Sequence, residues 1–342
     1  MGLTRIVSIA AVMCAFSAQA FAHRTGPSGN ACEMIPPNNQ FYGVGFAGGI
    51  SENTFNKVID AAEKIYKPII KAKGANLTVV RKWSDGTVNA YAEQNGSEWK
   101  VSMFGGLARH PEITADGFAE VLCHEIGHHI GGAPKYRGNP WASVEGQSDY
   151  FATLKCMHKM IAELQEWPTL AEPLDDVDPL VAERCKAAWP SNETDYKICV
   201  RSSYGGLSLA RLLASLNKET VPQFNTPDTS KVGRTNENHP KGQCRLDTYF
   251  AGAVCNVDPN IEPSGTDETV GVCTGVGATF LQAINKGMSA YTDGLGMRPG
   301  CWYSDQAGSP NPPTEPGACP LGDQAMCDML CQMMPDLPFC NQ

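Results

Sequence analysis

The chain has 342 residues, 42% hydrophobic and 18% charged, the balance of a folded protein with room for one large domain or two modest ones. Its net charge of -9 argues against a nucleic-acid partner and against docking on anionic lipid.

Residues 1–22 read as a signal peptide. Arg5 supplies the positive start, Ile6 to Phe16 the apolar run, and Ala18-Gln19-Ala20 and Ala20-Phe21-Ala22 two small-x-small cleavage sites. No later segment is apolar enough to span a membrane, so the mature protein is expected to be exported, either periplasmic or secreted. The 14 cysteines agree with an oxidising compartment. Cys14 leaves with the signal, and the odd number that remains implies one free thiol. Cys123, on an apolar helix with Ala119 and Ile126, is the expected one.

Three regions are expected: the signal peptide, one main folded domain over 23–255, and a Cys/Pro/Gly-rich region over 256–342. Within the second, Ser51 to Ile70 carries Phe55, Val58, Ile59, Ala62 and Ile65 at helical spacing, with Pro68 disrupting its end. Asn76 to Trp83, Asn89 to Gln94 and Trp99 to Phe104 read as strands of a small antiparallel sheet, the last two joined at Asn95-Gly96. The third strand is expected at a sheet edge, where Val101, Ser102 and Met103 would pair with an extended peptide.

The stretch from Val121 to Gly132 contains His124, Glu125 and His128 as H-E-x-x-H. Residues four apart share a helix face, so both imidazoles can point at one spot, with Glu125 on its rim. Neutral imidazoles are good zinc ligands, and a carboxylate beside a zinc-bound water is a good general base. Thr114 or Asp116 can cap this helix, and Gly131 and Gly132 stop it. Gly131 fits the metzincin glycine, but that pattern's third histidine position holds Pro134, so the pattern fails. A second helix, residues 145–161, offers Glu145 as third ligand, and Asp149 on the same face can orient a ligand histidine. The plainer reading of these acids is a helix start favoured by the dipole. His129 has the wrong spacing for a ligand and reads as core or as support behind the ligands; His110 and His158 read as surface or structural residues.

These motifs resemble those of gluzincin metallopeptidases of the HtpX and CAAX prenyl endopeptidase type. Asn89-Ala90-Tyr91-Ala92, Gly106-Leu107, His124 to His128 and Glu145 to Asp149 match that family's N-A-[FY]-A strand, G-L turn, H-E-x-x-H and E-x-x-x-D in order. His239-Pro240 with Arg245 matches its H-P-x-x-x-x-R. The resemblance implies that His239 reaches into the site to steady the tetrahedral intermediate or the resting metal, and that Arg245 supports the site. It spans roughly residues 75–250 and lacks the membrane helices of much of the family, so substrate is not inherited from it.

Residues 166–200 read as loop-rich, with a Cys185–Cys199 pair across them; Ser202 to Leu216 reads as a helix and 217–243 as loop. Beyond Cys255 one helix is expected at Gly277 to Ala290, in a stapled tail that includes Ser309 to Pro320. The expectation is therefore an α+β, zincin-like catalytic domain with a disulfide-rich irregular C-terminal region. It would hold one Zn2+ on His124, His128 and Glu145 and hydrolyse a protein or peptide substrate with Glu125 as base. A catalytically silent zinc-stabilised binding module and a zinc amidase acting on cell-wall peptides are the alternatives.

Overall fold

Ser51 starts the first helix by accepting the Thr54 N–H with its side chain. In the computed structural model, which describes residues 31–36, 38–46, 48–164, 176–274 and 295–304, this helix, α1, spans Glu52–Ala72. It buries Phe55, Val58, Ile59, Tyr66 and Ile70. Contrary to the expected break, it runs through Pro68 to Ala72. Pro68 and Lys64 one turn before it are both exposed, so water can serve the carbonyl that the proline leaves unbonded, while Ile70 anchors the last turn.

Four strands form one mixed sheet in the order β1-β3-β4-β2: β1 Ala31–Glu33, β2 Asn76–Lys82, β3 Ala90–Asn95 and β4 Glu98–Phe104. The β3–β4 hairpin turns at Asn95-Gly96, with Gly96 at φ 59°. Two expectations are corrected here. The sheet is not wholly antiparallel, because β2 runs parallel to β4 with Leu77 opposite Trp99. Nor is β4 an edge: β3 and β2 flank it, so Val101, Ser102 and Met103 have no free ladder to offer a peptide, and all three are buried. Alternation reports which face of a strand is buried, not which neighbours it pairs with.

Below the sheet lie the helices that build the site. A short turn, α2 (Gly105–Ala108), leads to α3 (Ala115–Ile130), where Thr114 accepts the Gly117 N–H. α3 is buried on almost every side and ends at Gly131 and Gly132, the latter at φ 85°. The second expected helix is one rod in three parts: α4 (Glu145–Phe151), a π-helical turn (Ala152–Cys156) and α5 (Met157–Glu163). Cys156 on that turn bonds Cys123 on α3, which corrects the expected free thiol. Among the described residues the unpaired cysteine is Cys32. An apolar helix face says that a thiol is buried; only the packing of α3 on the π turn brings its partner.

The described part of the loop-rich stretch holds α6 (Pro179–Ala188) and the first turns of α7 (Glu193–Asn217), which starts at the Asn192 cap, well before Ser202. The Cys185–Cys199 pair joins them as expected. Finally, α8 (Gly242–Val254) packs against α7 and α4. Cys244–Cys301 and Cys255–Cys273 tie the segments beyond α8 back to it, and Trp302 fills the space beside Gly146 next to the site. The expected signal peptide, the helix at Gly277 to Ala290 and the stretch Ser309 to Pro320 lie outside the described residues.

Three histidines serve the core. His129 stacks between Trp99 and Trp141, with ring centroids 5.2 Å from each. His158 packs on Trp189, and His110 bonds Gln40 at 3.1 Å. Burial lowers their pKa values to about 3 for His129 and about 4 for the other two. Each is neutral in the fold but titrates near ~6.5 when unfolded. Their contribution is therefore intact above that pH and is lost as pH falls through the folded values. We expect the urea midpoint to drop progressively from pH 6.5 to pH 4, and replacing His129 with Gln to flatten that slope.

Candidate metal centre

α3 sets His124 and His128 one turn apart on one face, with ring centroids 4.7 Å apart and planes at 88°. The far nitrogen of each ring is already engaged. His124 Nδ1 bonds Asp149 Oδ1 at 2.7 Å, and His128 Nδ1 donates to the Ser143 carbonyl at 2.8 Å. Those bonds hold the rings so that both Nε2 atoms face inward. Glu145, in the first turn of α4, meets them: Oε2 lies 3.4 Å from His124 Nε2 and Oε1 3.7 Å from His128 Nε2. The Tyr136 hydroxyl donates to Oε1 at 2.8 Å. Ligand atoms of the three residues lie within 4.8 Å of one another, close enough to hold a metal ion.

A fit to a cation is tested by what the atoms lack. His124 Nε2, His128 Nε2 and Glu145 Oε2 are buried without a hydrogen-bond partner, as are both Glu125 oxygens. Leaving so many polar atoms unpaired in one place is costly unless something joins them. Two nitrogens and a carboxylate oxygen suit a divalent first-row ion, and three donors are one fewer than a four-coordinate ion takes. Among the described residues, the other comparable grouping, Asp228 with Cys244 and Cys301, offers no thiolate because its sulfurs form a disulfide. No protein-family model matches the chain, and neither a curated protein nor a solved structure does.

The electrostatics follow from burial set against neighbours. Burial pulls the His124 ring down, but the Asp149 and Glu145 carboxylates more than offset it, to about 9; a cation bound at Nε2 would take the place of a proton there. At His128 burial wins and the ring is lowered to about 3. Burial raises Glu145, yet His239, His128 and His124 hold it well below the ordinary carboxylate range. Glu125 is raised to about 8, first by burial. A cation beside it would draw that value back down toward the ordinary carboxylate range.

Asp149 anchors the supporting network. Arg245 grips it with Nε to Oδ2 at 2.7 Å and Nη2 to Oδ1 at 2.6 Å, and the Tyr249 hydroxyl donates to Oδ1 at 2.6 Å. Burial raises its pKa, and Arg245 and His124 more than reverse that. His239 reaches the same centre from the loop before α8. Its Nε2 lies 3.4 Å from Glu145 Oε2 and 2.7 Å from the Glu33 carbonyl, to which it donates.

The structure thus brings His124, Glu125, His128, Glu145, Asp149, His239 and Arg245 together and leaves Val101, Ser102 and Met103 in the sheet interior. Sequence reasoning missed Tyr136, Tyr249 and the carbonyl of Ser143. Tyr249 follows Arg245 by four on one helix face, a spacing that could have found it. Tyr136 lies between α3 and α4, where no period marks its direction.

Proposed function

We propose that the chain is a zinc-dependent endopeptidase of the gluzincin type, acting on extended protein or peptide substrates. The observation that carries the reading is the set of buried, unpartnered atoms of His124, His128 and Glu145, converging beside the equally unpartnered carboxylate of Glu125. When bound, the ion supplies a Lewis acid that acidifies water and polarises a carbonyl. The residues supply the rest. Asp149 and Ser143 fix the ring tautomers. Glu125 accepts the proton of the attacking water and passes it to the leaving nitrogen. His239 presents an N–H to an oxyanion at the site. Export to the periplasm or outside the cell fits the four disulfides among the described residues, none of whose helices is long and apolar enough to cross a membrane.

Metal removal tests this directly. Protein stripped with a chelator should lose hydrolysis of casein or a peptide library and regain it with one equivalent of zinc, counted by mass spectrometry of the metal. A protein that takes up one zinc and still cleaves nothing would instead be the silent binding module.

A further inference from the structure

The edge of the sheet nearest the metal centre is already occupied. β1 pairs antiparallel with β3, Cys32 opposite Ala92 and Glu33 opposite Tyr91, and the Met34 N–H continues the ladder to the Ala90 carbonyl at 3.1 Å. Alternate pairs of an antiparallel ladder are hydrogen-bonded, so Cys32 and Ala92 form the next bonded pair. The carbonyl of the last residue of β1 and that of Met34, in the bend that follows, are then taken by basic side chains of the site. His239 Nε2 donates to Glu33 O, and Arg245 Nη1 donates to Met34 O at 3.0 Å. Beyond them the Asn89 side chain holds Ile35 at both ends, accepting its N–H at 3.1 Å and donating to its carbonyl at 2.9 Å. Met34 and Ile35 are fully buried.

A structural strand needs its ladder, not a hydrogen bond from the histidine that also stands 3.4 Å from a metal-ligand carboxylate. A strand paired to a sheet edge, with the carbonyls gripped on either side of the peptide bond at which it ends, is held as a substrate would be. We infer that the Glu33–Met34 peptide bond is the site's own first substrate and that the chain cleaves itself there. The inference rests on the peptidase reading. Water adds to the Glu33 carbonyl carbon and the bond to the Met34 nitrogen breaks. Glu125 relays a water proton to that nitrogen, and the second follows it, leaving a carboxylate on Glu33 and an ammonium on Met34. The freed residues before Met34 then vacate half of the β3 edge for other peptides.

The test uses the full chain, stripped of metal and then given one equivalent of zinc. Intact mass and N-terminal sequencing should show a new terminus at Met34 and a released peptide ending in Glu33, at a rate independent of protein concentration. Glu125→Gln should show neither. In that inactive variant without zinc, hydrogen exchange should find the Ala92 amide, which faces β1, protected. Cys32→Pro removes the N–H that β1 gives to the Ala92 carbonyl, so it should loosen β1 and speed exchange at Ala92, and Cys32→Ala should not. With Glu125 intact, Cys32→Pro should slow self-cleavage at least tenfold. Zinc-loaded protein that hydrolyses an added peptide but keeps the Glu33–Met34 bond overturns this inference alone, as does cleavage at a different bond. Failure to cut either one with zinc bound overturns the peptidase reading with it. An unprotected Ala92 amide in the inactive variant overturns the occupied cleft whatever the activity.

Discussion

Replacing Glu125 with Gln should lower peptide turnover by about 10²–10⁴-fold while zinc content and fold are kept. The amide has nearly the same shape but cannot take a proton from water. Both oxygens of Glu125 are buried and unpartnered, and burial raises its pKa to about 8, so the change removes a costly carboxyl and should not destabilise the chain. His124, His128 and Glu145 are untouched, so metal bound per chain should stay at the wild-type level. Peptide kinetics, metal analysis and thermal unfolding on the same preparation separate these effects. Full turnover in the variant would remove Glu125 from the chemistry and the proposed mechanism with it.

Arg245→Met should be the most destabilising single change around the site, costing about 3–5 kcal/mol in denaturant unfolding. The guanidinium is fully buried and makes two bonds to Asp149 and one to the Met34 carbonyl. Methionine fills similar space but leaves the Asp149 carboxylate with only Tyr249 and His124 as partners. The pH dependence carries the signature. Asp149 is held below its ordinary value in the fold, so its share of stability is present above ~3.9 and is lost as pH falls through the folded value. Losing Arg245 shrinks that depression, so the variant should unfold at a higher pH than the wild type on acid titration. Because Asp149 also orients His124, zinc affinity should fall by about 10–100-fold. An Arg245→Met protein with wild-type acid stability would mean that Asp149 does not depend on the pair.

The parts of the centre that lie within one helix were legible because the helical period is local. H-E-x-x-H puts His124 and His128 on one face whatever surrounds α3, and E-x-x-x-D does the same for Glu145 and Asp149 on α4. The Asn95-Gly96 turn and the Thr114 cap are equally local, set by backbone preference and a side chain three residues from its partner. The resemblance pointed to His239 and Arg245, which no local period marks.

What depends on partners distant in sequence was not legible. The alternation in β2 and β4 is the same for a parallel as for an antiparallel neighbour, so it could not place β4 inside the sheet. Cys123 looked inert until α3 packed on the π-helical turn that carries Cys156. The bond from His239 to the Glu33 carbonyl spans more than two hundred residues and joins a side chain to backbone, which every residue has alike. By itself the sequence determined which residues share a face and which donor atoms those faces offer. Only the tertiary structure decided which faces meet and which strand lies across the site, because backbone hydrogen bonds and packing between remote segments leave no periodic trace in the chain.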